Sequence, residues 1–155
     1  MRQTWDETWM RVADSIAGRS KCTNRQVGAV VVDQSNRPVS VGYNGSPAGY
    51  KAASSCAAFC PRSKEANPYV DRSSSYANCV SVHAEANALL FADRRDYAGG
   101  TIYVTNPCCW ECAKLVANSG VARVVFRSGP ADAHADIETP TQFLEACGLQ
   151  VVVIN

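Results

Sequence analysis

No stretch of this sequence approaches the roughly 20 apolar residues needed to cross a bilayer, and no apolar run follows Met1-Arg2-Gln3-Thr4 to suggest a leader. A membrane protein is therefore not expected, and a cytoplasmic location is. Charge of one sign is lacking as well: 15 Lys and Arg against 14 Asp and Glu leave a formal net charge of +1. Proteins that grip a long phosphate backbone carry a clear basic excess, so no nucleic-acid polymer is expected as partner. One nucleotide phosphate needs only one or two cations, which this chain can supply. Internal repeats and low-complexity tails are also missing. With 46% hydrophobic and 19% charged residues, the expectation is one globular domain over residues 1–155.

Cysteine is not scarce. Eight occur, at positions 22, 56, 60, 79, 108, 109, 112 and 147. Cytosolic thiols stay reduced, so metal ligation explains them better than a disulfide framework.

Thr4-Trp5-Asp6-Glu7 reads as a capping box, and Trp9, Val12, Ala13 and Ile16 follow at helical spacing up to Gly18. The β-branched run within 26–33 predicts a buried strand, and 38–43 a hairpin partner. Residues 46–80 carry no sustained period and form a Cys-rich insertion; a loop this long is functional, disordered or stapled. Beyond it the pattern predicts a helix over about 82–94, a strand at 101–105 and a helix from near Cys109. A strand at 122–127, a helix at 141–146 and a strand at 149–154 complete the chain. Strands alternating with helices point to an α/β sheet with helices on its faces.

Two segments carry chemistry: His83-Ala84-Glu85 and Pro107-Cys108-Cys109-Trp110-Glu111-Cys112. One histidine and two cysteines make three zinc ligands, the number used when a catalytic zinc keeps a position for water. Zinc lowers the pKa of that water, and a carboxylate is then needed to move the proton; Glu85 is the candidate. In mid-helix, His83 and Glu85 would point about 200° apart, so convergence requires His83 at a helix start. Cys109 and Cys112, at i and i+3, share one face at the start of the next helix. A lone histidine is more often structural and a lone C-x-x-C more often redox-active or structural. The pair of motifs, 26 residues apart and each before a helix, is far more specific.

H-x-E followed by P-C-x-x-C is the zinc-deaminase signature. The sequence resembles the deoxycytidylate deaminase branch through Arg19-Ser20-Lys21-Cys22, Val27-Gly28-Ala29-Val30, Gly42-Tyr43-Asn44-Gly45, His83-Ala84-Glu85-Ala86-Asn87-Ala88, Tyr103-Val104-Thr105 and Cys112-Ala113-Lys114 to Phe126. This resemblance implies a three-layer α/β/α fold with a mixed five-stranded sheet of the cytidine deaminase-like type. It implies that His83, Cys109 and Cys112 bind zinc and that Glu85 shuttles the proton as C4 of cytosine is attacked, turning dCMP into dUMP for thymidylate synthesis. Asn44 is then expected to contact the substrate sugar. Gly42, Tyr43, Asn44 and Gly45 are expected to bind nucleotide effectors, dCTP with Mg2+ activating and dTTP inhibiting. A homo-oligomer, commonly a hexamer, is implied too. One departure stands out: Cys108 occupies the place of the proline before the first ligand cysteine. Cys108 with Cys112 is an alternative ligand pair, although Cys109 keeps the C-x-x-C spacing.

Cys22, Cys56, Cys60 and Cys79 would suffice for a second, structural zinc that clips the insertion, as related deaminases often do; the alternative is four ordinary thiols. Trp5, Trp9 and Phe91 are expected in core or subunit contacts, and Cys147 in the core. Arg25 and Lys114 are candidates for a substrate phosphate or plain surface charges. Two other functions compete. A tRNA adenosine deaminase shares the zinc pattern, but near-neutral charge and the 39-residue interval from Asn44 to His83 speak against it. A non-catalytic zinc-stabilised binding module has no need of Glu85.

Overall fold

The computed structural model describes residues 1–50, 79–128 and 139–155. Helix α1 spans Trp5–Ala17. Its capping box forms as expected: the Glu7 N–H donates to Thr4 Oγ1 at 3.2 Å, and the Thr4 N–H donates to the Glu7 carboxylate at 2.7 Å. Five strands form one sheet: β1 (Gly28–Val32), β2 (Pro38–Tyr43), β3 (Thr101–Val104), β4 (Arg123–Arg127) and β5 (Gln150–Ile154). The order is β2-β1-β3-β4-β5. β1 runs antiparallel to both β2 and β3, whereas β3, β4 and β5 are mutually parallel. The sheet is therefore mixed, as the resemblance implied.

The remaining helices are α2 (Ala84–Leu90), α3 (Arg94–Tyr97), α4 (Trp110–Ser119) and α5 (Pro140–Ala146). Alternation along the strands divides the core in two. Val30, Val32, Tyr103 and Val125 face Trp9, Met10 and Ala13 of α1. Ala29, Val31, Ile102, Val104, Val124 and Phe126 face the other way, onto Ala84, Ala88, Tyr97, Ala113, Val116 and Leu144 of α2–α5. Helix, sheet, helix gives three layers. β1 is buried along its whole length, and each fully buried valine contributes about 1.5–3 kcal/mol over an exposed one.

Two glycines set how closely helices approach the sheet. A Cβ on Gly28 would lie 2.0 Å from Ala13 O on α1, and one on Gly42 would lie 2.3 Å from Ala84 O and 2.4 Å from Ala88 N on α2. Only a residue without a side chain lets these backbones meet.

Several expectations are corrected. The helix expected over 82–94 ends at Leu90, because Asp93 starts a new one by accepting the Arg95 N–H, and Arg94 opens α3. Phe91, expected in core or subunit contacts, is 80% exposed and so lies outside the core of this chain, beside Leu90 at 73%. Trp5 is half exposed and stacks on the buried Trp9, with ring centroids 5.9 Å apart. Cys147 ends α5 at the surface.

Candidate metal centre

Helices α2 and α4 lie side by side on the same sheet face, and their first residues meet where β3 ends. His83 is the N-cap of α2 (φ −70°, ψ 157°) and Cys109 the N-cap of α4 (φ −75°, ψ 170°). An N-cap side chain projects ahead of its helix, over the first turn. That position resolves the spacing problem: Glu85, two residues into α2, and Cys112, three beyond the Cys109 cap, reach the same point as the two caps. Neither makes a side-chain capping hydrogen bond, and the donor atoms of His83 and Cys109 come together with that of Cys112 in front of the two helices.

His83 Nδ1 lies 3.4 Å from Cys109 Sγ and 3.4 Å from Cys112 Sγ, and all three donor atoms fall within 4.8 Å of one another. Zinc bonds of about 2.0–2.1 Å to nitrogen and 2.3 Å to sulfur at tetrahedral angles place N and S about 3.5 Å apart. The donor set and its spacing fit zinc. Two helix N-termini facing the cluster favour thiolate sulfur.

The electrostatics agree. The Cys109 thiol is pushed down to about 4, foremost by a hydrogen bond from Cys112 and then, against the opposing effect of burial, by His83. Cys112 is pushed up, first by sharing its proton with Cys109 and then by burial. The pair thus holds one thiolate readily, on Cys109, with the proton kept on Cys112. Glu85 is 4% exposed, and burial pushes its carboxyl above the usual range, although its own N–H and His83 pull it down. A carboxyl with a raised pKa beside a metal cluster is the signature of a group that takes and returns protons.

Behind these residues is a clamp. Gly45 and Val82 exchange backbone hydrogen bonds of 3.1 and 2.8 Å, fixing the residue before His83. Asn87, in α2, donates through Nδ2 to Tyr43 O at 2.8 Å. With the close approach at Gly42, the segment 42–45 anchors the helix that carries His83 and Glu85. Asn44 is 8% exposed; its Oδ1 accepts the Val27 N–H and its Nδ2 donates to Arg25 O, both at 2.8 Å. Sequence reading did not assign this anchoring, nor Asn87; only the bridge and the carboxamide bonds reveal it.

Of the other sequence candidates, Lys114 pairs with Glu111 at 3.0 Å on the exposed side of α4. Cys108 is buried but is not in the donor cluster, so the pair of cysteines brought together with His83 is Cys109 and Cys112. Cys22 and Cys79 are half-buried, while Cys56 and Cys60 lie outside the described residues. Among the described residues, no helix is long and apolar enough to cross a membrane.

The sequence profile of the cytidine and deoxycytidylate deaminase zinc-binding region matches residues 3–128. A deoxycytidylate deaminase of Mycobacterium phage D29 is 48% identical over 126 residues, covering 81% of this chain and 95% of the phage protein. The human deoxycytidylate deaminase is 38% identical over 124 residues, covering 80% of this chain and 65% of the human one. The crystal structure of a cyanophage S-TIM5 dCMP deaminase in complex with dCMP and dUMP superposes with a TM-score of 0.68 at 22% identity, over 99% of both chains, and shares the fold. With the metal cluster, the buried carboxyl and a profile that spans most of the sequence, the chain belongs to the cytidine and deoxycytidylate deaminase zinc-binding family.

Proposed function

We propose that this protein hydrolyses the exocyclic amine of dCMP, with dCMP and water giving dUMP and ammonia. The observation that carries the reading is the buried Glu85 carboxyl beside the His83, Cys109 and Cys112 donor cluster. Zinc held by these three residues would supply Lewis-acid activation of a water. Glu85 takes a proton from that water, delivers it to N3 of the cytosine ring, and later protonates the departing amine. Burial raises the hold of this carboxyl on a proton above that of an ordinary glutamate. Relatives named deoxycytidylate deaminase, one of them nearly half identical, support the choice of base and nucleotide.

Finer parts of the proposal rest on the family resemblance. One deaminase domain spans residues 1–155. Asn44 gives one Nδ2 proton to Arg25 O, and its other proton is assigned to the substrate sugar. The 42–45 segment takes nucleotide effectors, dCTP with Mg2+ raising activity and dTTP lowering it. The protein works in the cytoplasm as a homo-oligomer, a hexamer, supplying dUMP for thymidylate synthesis. Cys22, Cys56, Cys60 and Cys79 are assigned to a second, structural zinc.

The test is ammonia release from dCMP, dCTP, deoxycytidine and a tRNA stem-loop, with dCTP–Mg2+ and dTTP added to the dCMP reactions. Rapid release from dCMP, raised by dCTP and suppressed by dTTP, is expected. Activity on the stem-loop alone would overturn the substrate while keeping the zinc chemistry, and zinc binding with no turnover anywhere would leave a binding module.

A further inference from the structure

Asn87 is the fourth residue of α2, four positions after His83 and two after Glu85. Asparagine is a weaker helix former than alanine, because its carboxamide competes for backbone groups. In α2 that carboxamide is taken up by two carbonyls outside the helix: Nδ2 lies 2.8 Å from Tyr43 O and 3.4 Å from Val82 O. Both neighbours are acceptors, so the amino end faces them and its two protons serve one carbonyl each. The longer bond, to Val82 O, is the weaker.

The two carbonyls sit in peptides next to the site. Tyr43 O belongs to the peptide leading into Asn44, whose own carboxamide holds Arg25 O and the Val27 N–H. Val82 O belongs to the peptide leading into His83 and also accepts the Gly45 N–H at 3.1 Å. The Asn87 backbone N–H donates in turn to His83 O at 3.0 Å, in the peptide that leaves His83. One residue therefore bonds the peptide planes on both sides of His83. The backbone angles φ and ψ are rotations of those planes about Cα, so holding both planes holds the direction in which the imidazole leaves the backbone. The same carboxamide ties them to the end of β2.

Building on His83 as zinc ligand and Glu85 as proton shuttle, we infer that Asn87 is a positioning residue. Its carboxamide sets the His83 backbone, and with it the separation between the metal cluster and the 42–45 segment. A misplaced ligand weakens metal binding and a misplaced shuttle slows the chemical step, each by about 10- to 100-fold. Misalignment between metal and nucleotide is felt in the transition state, so kcat falls more than KM rises.

The experiment uses the full-length protein with the variants Asn87→Ala and Asn87→Asp. Asp6→Asn, on the far face of the sheet, controls for a general loss of stability. Zinc affinity is measured by competition with a chromogenic chelator, and dCMP turnover on zinc-loaded protein. Protein loaded with Co2+ instead is read by its thiolate charge-transfer and d–d absorption. Asn87→Ala should bind zinc about tenfold less tightly and lower kcat about tenfold, with KM within about threefold. Its cobalt bands should shift, whereas Asp6→Asn should keep wild-type affinity, kcat and bands. Asn87→Asp matches asparagine in size but sets carboxylate oxygen against two carbonyls, so it should lose more than Asn87→Ala. In the wild-type protein the Asn87 carboxamide protons should exchange with solvent more slowly than those of free asparagine, a measurement by NMR that needs no variant to fold. Wild-type affinity, kcat and cobalt bands in Asn87→Ala overturn the inference. So do Asn87→Asp values at or above those of Asn87→Ala, losses in Asp6→Asn that match those in Asn87→Ala, or carboxamide exchange at the free rate. If the wild-type protein does not turn over dCMP, the proposed reaction fails, while zinc affinities and cobalt bands still decide the role of Asn87.

Discussion

Replacing Gly42 by alanine tests whether the 42–45 segment anchors the helix that carries His83 and Glu85. The added Cβ would sit 2.3 Å from Ala84 O and 2.4 Å from Ala88 N, both backbone atoms of α2. Ordinary contact begins at about 3.4 Å, so helix and strand must separate by about 1 Å, and no side-chain rotation relieves the clash. Overpacking of this kind costs about 1–3 kcal/mol, a fall in Tm of roughly 2–12 °C for a domain of this size. The displaced helix carries His83 and Glu85, whereas Cys109 and Cys112 ride on α4 and stay. A misplacement of about 1 Å at a reacting group costs about 100-fold in kcat/KM. The assay pairs thermal unfolding with dCMP turnover on zinc-loaded protein. Gly18→Ala is the control: among the described residues its Cβ meets Ser15 O alone, at 3.4 Å, and its backbone is right-handed helical, so stability and turnover should hold. Wild-type Tm and kcat/KM in Gly42→Ala would refute the anchoring argument.

Other predictions concern the far face of the sheet and the metal. Arg123 binds Asp6 through two hydrogen bonds of 2.7 and 2.6 Å, and Tyr103 OH donates to the same carboxylate at 2.9 Å, tying α1 to β3 and β4. Asp6→Asn should destabilise the protein by about 1–2 kcal/mol in urea unfolding at neutral pH, after allowance for solvent screening. The Arg123 hydrogen bond, foremost, holds the Asp6 carboxyl below its usual range. Its contribution is therefore complete above the unfolded value of roughly 3.9 and disappears as pH falls through the folded one, so the wild-type and Asp6→Asn curves should converge in acid. Zinc binding requires a neutral imidazole and deprotonated sulfurs, so chelator-measured affinity should fall roughly tenfold or more per pH unit on acidification. Affinity independent of pH would exclude this ligand set. Removing the metal should abolish turnover, and added zinc should restore it.

Much of the centre was legible because its chemistry is local. H-x-E and C-x-x-C name three donors and an acid, and the incompatibility of i, i+2 spacing with a mid-helix face forced His83 to a helix start. The structure places it one step earlier, at the N-cap itself. The capping box at Thr4 and the strands were legible for the same reason: each is set by residues three or four apart, or by β-branched runs. What could not be read depends on packing between distant segments. Apolar Leu89, Leu90 and Phe91 prolong the helical pattern of α2, but Asp93 competes as a cap, and nothing in the periodicity decides between them. Cys147 follows an apolar face yet ends its helix at the surface. The closeness of Gly42 to α2, and the use of the Asn44 carboxamide to hold the backbone of Arg25 and Val27, are tertiary facts without a sequence period. The order of the strands also lies beyond local pattern.

The central claim, that a buried carboxyl beside the metal cluster moves the proton, is tested most directly by Glu85→Gln. The substitution keeps size and hydrogen bonding but cannot carry the proton. Zinc per chain and steady-state ammonia release from dCMP are measured on the same preparation. The account predicts wild-type zinc content with turnover reduced by at least about 100- to 10,000-fold. Zinc-replete Glu85→Gln protein that releases ammonia at the wild-type rate would contradict it.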